Sequence, residues 1–172
     1  GVQNAGGILG DGSDGSRFVT PVQGIATITY RSSTVAGLVT VSASTTVGNS
    51  LTAVPAAITL LPGTASKLVV TAVPVGIPAD NGVTNSILTA KILDVNNNTV
   101  YTDAGTLITF NLAGNMLGQG TLVDPGTGNS VTSCILNAVS GIATLKYQSG
   151  TLAMVSTITA VSGGLTAGTT NV

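Results

Sequence analysis

Apolar residues along this chain recur at every second position, in short runs separated by Gly, Asn, Asp and Pro. The clearest run is SILTAKILDV (86–95). Leu88, Ala90 and Ile92 alternate with Ile87, Thr89 and Lys91. A period of two puts these sets on opposite faces of a strand. KLVVTAVPV (67–75) predicts a first strand interrupted at Pro74, a residue that belongs at an edge or bend. PADNGV (78–83) predicts a turn centred on Asn81-Gly82, and Asn96–Asn98 a second turn. GTLITFNL (105–112), GQGTLV (118–123) and SVTSCILN (130–137) predict further strands, with DPGTGN (124–129) as a loop between the last two. IATLKYQS (142–149) and VSTITAV (155–161) predict a hairpin pair, and LTAGTTNV (165–172) closes the set. Seven or more short strands at about ten-residue spacing predict a β-sandwich.

The pattern also repeats. GIATLKYQSGTLAMVSTITA (141–160) echoes GIATITYRSSTVAGLVTVSA (24–43), and Gly24 and Tyr30 each stand 117 residues before Gly141 and Tyr147 (141 − 24, 147 − 30). LGDG (9–12) matches LGQG (117–120) at a spacing of 108, which predicts a shorter loop before the first copy of the phrase. RFVTPV, GIATITYRS, LVTVSAS and SLTAVPAAITL supply counterparts of the later strands, but nothing in 1–57 matches KLVVTAV or SILTAKILDV. Such self-similarity is the signature of an array. The expected organisation is a partial sandwich over 1–61, a short stiff linker over 62–66 without a Gly/Ser tether, and a complete sandwich over 67–172. A half-sandwich has an apolar face that must be covered. Three covers are open: strands preceding Gly1 in a longer chain, strand addition at 1–57 by another subunit, or rearrangement of 1–57 or its packing on the second domain. The chain opens on Gly without a visible signal peptide, as expected of a processed chain, a fragment or an incompletely known one.

Composition narrows the function. The chain is 43% hydrophobic but only 6% charged, and its net charge of −1 provides no basic patch for a phosphate backbone. No apolar stretch is long enough to predict a transmembrane helix. So little charge leaves sheet edges poorly protected against association, unless glycans shield them. Catalysis is poorly supplied. There is no His to serve a Ser nucleophile, and all six acidic residues are Asp. The expectation is a protein that is not an enzyme and carries no cofactor, with Ca²⁺ the sole candidate ion.

GDGSDG (10–15) fits a dinucleotide fingerprint, but Arg17-Phe18-Val19 starts a strand where that site needs a helix. An ordinary Gly/Asp loop is the plainer reading. Asp11 and Asp14 are weak candidate carboxylates for Ca²⁺. Asp94, Asn96 and Asn98 place oxygens at alternate positions like a calcium loop, without its later acidic ligand. The same residues at a strand end also make side-chain-to-backbone turns. Asn97-Asn98-Thr99 is an N-glycosylation sequon at an expected surface turn, which makes Asn97 a candidate acceptor. Tyr30 and Tyr147 hold equivalent positions, where a buried ring with its hydroxyl at the rim is expected. Phe110 is expected in the core. Cys134 has no partner for an internal disulfide and is expected to be a small buried residue, with an intermolecular bridge as the minor reading.

The joint LPGTASKLVVTA (61–72), the segment PADNGVTNSILTAKILDVNNNTV (78–100), LITF (107–110) and GIATLKY (141–147) with its partner ITA (158–160) together resemble the bacterial immunoglobulin-like domains of the invasin and intimin type. The resemblance covers 58–172 in full and 1–57 as a C-terminal half. It departs from the family at Asn96–Asn98, where a Gly-Asn turn is usual, and in the long loop 113–130. It implies an all-β, immunoglobulin-like sandwich used in tandem at the cell surface or outside the cell, and it carries over no binding residues. The function it implies is a structural repeat module of a bacterial extracellular fibre, stalk or surface layer, a rigid spacer or a filament subunit. Its partners would be copies of itself or adjacent immunoglobulin-like repeats. Two alternatives stand beside it: an adhesin module recognising a host protein or glycan through end loops such as 113–130, and an accessory domain of a secreted carbohydrate-active enzyme.

Overall fold

The computed structural model describes residues 8–9, 17–45, 53–114 and 116–172. The chain divides into two compact units, Gly1–Pro62 and Gly63–Val172. The first contains β1 (Ile8–Leu9), β2 (Tyr30–Arg31), β3 (Gly37–Val41) and β4 (Ala56–Leu60). The second contains β5 (Ala65–Val73), β6 (Asn85–Asp94), β7 (Ala104–Leu112), β8 (Thr121–Val123), β9 (Ser130–Val131), β10 (Ser133–Val139), β11 (Ile142–Gln148), β12 (Thr157–Val161) and β13 (Gly168–Asn171). Among the described residues there is no helix, so none that is long and apolar enough to cross a membrane. The fold is all-β, an immunoglobulin-like sandwich.

In the second unit the strands run β13-β12-β7-β10-β11-β6-β5, with β8 added to β11 and β9 to β8. One pair, Val139 with Ile142, joins β10 to β11, and there the path doubles over to make two layers. The ends of the path meet again. Leu68 N–H donates to Thr166 O at 2.8 Å and Thr166 N–H to Ser66 O at 3.0 Å. The alternation seen in sequence becomes the inner face. Leu68, Val70 and Ala72 of β5 are buried with Leu88, Ala90 and Ile92 of β6 and Ala143, Leu145 and Tyr147 of β11. Ile108, Phe110 and Leu112 of β7 and Ile158 and Ala160 of β12 complete the same core. Across the ladders large side chains sit beside small ones, which lets the layers interdigitate: Val70 pairs with Ala90, and Phe110 with both Cys134 and Ala160.

One expected pairing is corrected. Residues 142–149 and 155–161 do not form a hairpin with each other. β11 lies against β6 and β8, while β12 lies between β7 and β13 in the other layer. The connection crosses the sandwich, and the Tyr147 hydroxyl donates to Ser156 Oγ at 2.7 Å between the two layers. Periodicity states which residues of a strand face inward but not which strand lies alongside, and neighbours in sequence pair only roughly two-thirds of the time.

The first unit is different in kind. Its strands form two separate two-stranded sheets, β1-β2 and β3-β4. Leu9 and Val39 are its buried apolar side chains among the described residues. Phe18, Val22, Ile25, Leu38, Val54 and Leu61 are exposed.

Candidate functional site

The ladders permit a residue-by-residue comparison of the two units. In the first, Val22 and Ile25 exchange backbone hydrogen bonds of 2.9 and 3.0 Å around a turn with Gln23 at φ 53° and Gly24 at φ 80°. In the second, Val139 and Ile142 flank Ser140 at φ 50° and Gly141 at φ 72°. These are the same two-residue turn with both central residues left-handed. Val39 opposes Ile58 in the β3-β4 ladder, while Ser156 and Val172 exchange hydrogen bonds of 2.8 and 3.0 Å beside β12-β13. Thr40 opposite Ala57 matches Thr157 opposite Asn171 in the same register. β3 and β4 are therefore the counterparts of β12 and β13.

The ladders also correct one match made on letters alone. Leu9 pairs with Tyr30, as Leu122 pairs with Tyr147. Leu9 therefore corresponds to Leu122, 113 residues on, and not to Leu117 in the LGxG alignment. Both leucines are buried, whereas Leu117 is 97% exposed.

With this equivalence the described segments of the two units can be compared position by position. In the second unit 133–139 is a strand because β7 pairs with it, and 142–148 is a strand because β6 does. β7 also pairs with the far edge of β12. In the first unit Phe18–Thr20 and Ala26–Thr29 lie in no ladder, and β3 ends at Val41 although β12 runs on through the counterparts of 42–44. Among the described residues, pairing is absent at the positions that face β6 and β7 in the second unit. Burial agrees: Leu145 is 3% exposed and its counterpart Ile28 is 37% exposed. Pro21, which has no N–H, stands at the position of Ala138, where the β10 ladder already shifts register.

The tyrosine pair illustrates what completion supplies. Tyr147 is buried and its hydroxyl has Ser156 as acceptor. The Tyr30 hydroxyl is buried without a hydrogen-bond partner among the described residues, and the counterpart of Ser156 is Val39, whose side chain has no acceptor. Tyr147→Phe is therefore expected to cost about 1 kcal/mol, while Tyr30→Phe is expected to be neutral or stabilising. Urea unfolding of the two variants checks the contrast.

The remaining candidate residues fall in several places. Asp11 and Asp14, with the GDGSDG loop, lie outside the described residues. At the Asp94 turn the carboxylate is ringed by donors. Oδ1 accepts N–H groups of Asn96 at 2.9 Å and Asn98 at 2.8 Å. Oδ2 accepts Gly63 N–H and Asn98 Nδ2, each at 2.8 Å. A divalent cation needs oxygen lone pairs in the positions that N–H groups occupy here. The arrangement ties the start of the unit to the end of β6 and holds the 94–98 turn. Asn97 stands at its tip, exposed, with φ 69°. Cys134 is buried opposite Phe110, and burial pushes its thiol pKa up, with the negative charge of Asp124 adding to the shift. Among the described residues no three His, Cys, Asp or Glu side chains gather as a metal site would require.

Sequence reasoning placed Asp80 only in a turn. Its carboxylate accepts the Ser149 and Thr84 hydroxyls and the Thr84 N–H, while Gly82 N–H donates to Ser149 Oγ at 3.0 Å. This network pins the 78–84 turn to the end of β11. Beside it lies a shallow polar cleft of about 380 Å³ lined by Asn81, Gln119, Gln148 and Thr151 among others. The adjoining loop is fastened by Gln119, whose Nε2 donates to Ala113 O at 2.8 Å. The Ser149 hydroxyl, then Thr84, hold Asp80 down to about 2. The Asn98 amide, ahead of the backbone N–H groups and against burial, holds Asp94 below the ordinary carboxylate range. The Gly126 N–H, then the Thr127 hydroxyl, do the same for Asp124. Depressed carboxylates stabilise the fold above their unfolded pKa, and that contribution is lost as pH falls through the folded value. Thermal melts are expected to be flat from about pH 5 to 8, since the chain has no His. The melting temperature should then fall between the ordinary Asp value of about 4 and the Asp80 value of about 2. Asp80→Asn should flatten part of that fall.

No protein-family model and no curated protein sequence matches the chain. Several solved structures share its fold. A glycosyl hydrolase family 2 member from Bacteroides cellulosilyticus matches with a TM-score of 0.55 and 16% identity, over 85% of this chain and 19% of that one. A beta-glycosidase from Bacteroides vulgatus matches with a TM-score of 0.54 and 13% identity, over 96% of this chain and 20% of that one. The chain thus spans about a fifth of the length of these enzymes, and the likeness is one of fold. The D00-D0 domain of intimin aligns over 97% of this chain and 75% of that one at 23% identity, with a TM-score of 0.45, too loose to bear on the fold.

Proposed function

We propose that this chain is a structural repeat module of a bacterial extracellular fibre, stalk or surface layer, acting as a spacer or as an assembling subunit. The observation that carries the proposal is the recurrence of one turn and one hairpin register 117 and 114 residues apart (141 − 24, 172 − 58) within one chain. A tandem array of sandwiches transmits length and force through its strand ladders, and it needs no catalytic constellation. The low charge and the lack of His and Glu fit that role. Pulling the full chain by its ends tests it. Gly63–Val172 should give way in one rupture, releasing contour on the order of 370 Å for its length. Gradual extension without a distinct rupture would count against a load-bearing module.

A second reading has support of its own. The glycosidase neighbours match this chain over about a fifth of their length, as an accessory domain of a secreted carbohydrate-active enzyme would. Saturable binding of a defined glycan by the full chain, lost on Gln119→Ala or Gln148→Ala in the polar cleft, would favour it.

A further inference from the structure

We propose that the first unit is a receptor for one two-strand segment with the pattern of Asn85–Leu112, one strand for each layer, supplied by a repeat of the same kind. The proposal rests on the tandem-repeat reading above and names the partner of its open edges. The occupant follows from the second unit, where the same positions are filled. There β6 pairs Ala90, Thr89 and Leu88 with Ala143, Thr144 and Leu145. The counterparts Ala26, Thr27 and Ile28 have no ladder partner among the described residues. There, too, β7 lies between two strands at once. Its Ile108 and Leu107 pair with Leu136 and Asn137, and its Leu112 and Asn111 with Ile158 and Thr159. The counterparts are Val19 and Thr20 on one side and Val41 and Ser42 on the other.

A single segment fills both edges because β6 and β7 are consecutive and cross from one layer to the other. The inner face waiting for it is apolar: Ala26, Ile28 and the Tyr30 ring from one layer, Val19 and Val41 from the other. The pattern of the incoming strands is complementary in chemistry. Leu88, Ala90, Ile108 and Phe110 are inward and fully buried in the second unit, alternating with Thr and Lys that face solvent. The connection between the two strands carries Val100, whose carbonyl lies against Gly141. The equivalent space over Gly24 is open, with no atom within 4 Å of an added Cβ. Four independent features of the first unit, two unladdered segments, a truncated β3 and an uncovered turn, are thus accounted for by one missing element. Strand addition of this kind gains affinity from main-chain hydrogen bonds and specificity from alternate side chains.

The test is hydrogen exchange of the full 172-residue chain, read by mass spectrometry with and without a synthetic peptide of residues 85–112. With the peptide in excess, amides of 18–20, 26–30 and 41–44 are expected to exchange at least tenfold more slowly, and those of β5–β13 to stay unchanged. A peptide carrying Ala90→Pro and Thr109→Pro, which removes from each strand a donor that faces the docked edge, should protect nothing. Ile28→Asp in the chain should abolish the protection by the native peptide. Unchanged exchange with the native peptide overturns the proposal. Protection of the same amides without peptide that rises with protein concentration and accompanies a dimer mass supports it, with a second copy of the chain as the supplier. The pulling experiment reads Gly63–Val172, which holds neither open edge, so either result stands without the other.

Discussion

Phe110→Ala is expected to take about 4 kcal/mol from the Gly63–Val172 unit, most of the stability of a small domain. Phe110 is fully buried on β7, the strand with ladders on both sides. Its direct neighbours across those ladders are Cys134 and Ala160, both small. The ring occupies the volume these two leave open. Removing it leaves a cavity that neither neighbour can reach into, and the paired backbone on both sides resists collapse. The cost therefore falls at the upper end for an aromatic truncation, within the usual range of about 3–5 kcal/mol. A lower urea midpoint at constant slope is the expected signature. The other phenylalanine is an internal control: Phe18 is 88% exposed, and Phe18→Ala should change the midpoint by no more than about 0.5 kcal/mol equivalent.

Gly141→Ala is expected to cost about 3 kcal/mol, and the same change at Gly24 only about 1 kcal/mol. The two glycines hold the same place in the same turn, at φ 72° and 80°. Each substitution carries the left-handed strain of an L-residue, about 1–2 kcal/mol. At Gly141 a second cost appears. An added Cβ would stand 2.5 Å from Val100 O and 2.9 Å from Val100 C, so the 95–103 connection would have to move. At Gly24 nothing lies within 4 Å. The difference comes from the neighbouring element, not from the turn, and this makes the pair a sensitive probe. If the proposed two-strand segment docks on the first unit, Gly24→Ala should weaken that docking as Gly141→Ala weakens the second unit. Denaturant titration of the two single variants checks the first part, and exchange with the 85–112 peptide the second.

Much of the fold was legible in the sequence. The period of two marked the inner face of β6 residue by residue, and the repeat of GIAT…Y put Tyr30 and Tyr147 in equivalent ladder positions. What sequence could not supply was adjacency. Residues 142–149 and 155–161 read as a hairpin because they are consecutive strands. Their separation into opposite layers is set by the side chains packed between them, Tyr147 and Ile158 among them. The LGxG match failed for a related reason. Identical letters in a glycine-rich loop carry little register information, whereas a buried leucine opposite a tyrosine carries a great deal. The Asp94 turn was visible as an Asp/Asn cluster, but composition does not reveal whether such a cluster points oxygens or N–H groups at its centre. Asp80 was no more than a turn residue in sequence, because its partner Ser149 lies far along the chain and meets it only through the fold.

Native-state hydrogen exchange on the chain alone measures the central point most directly. Amides of 26–29 should exchange within a few-fold of their unstructured rates, while the equivalent amides of 143–146 should be slowed by roughly a thousandfold or more. Equal protection at the two sets would mean that 26–29 are paired within the 172-residue chain, and would contradict the claim that this edge stands open.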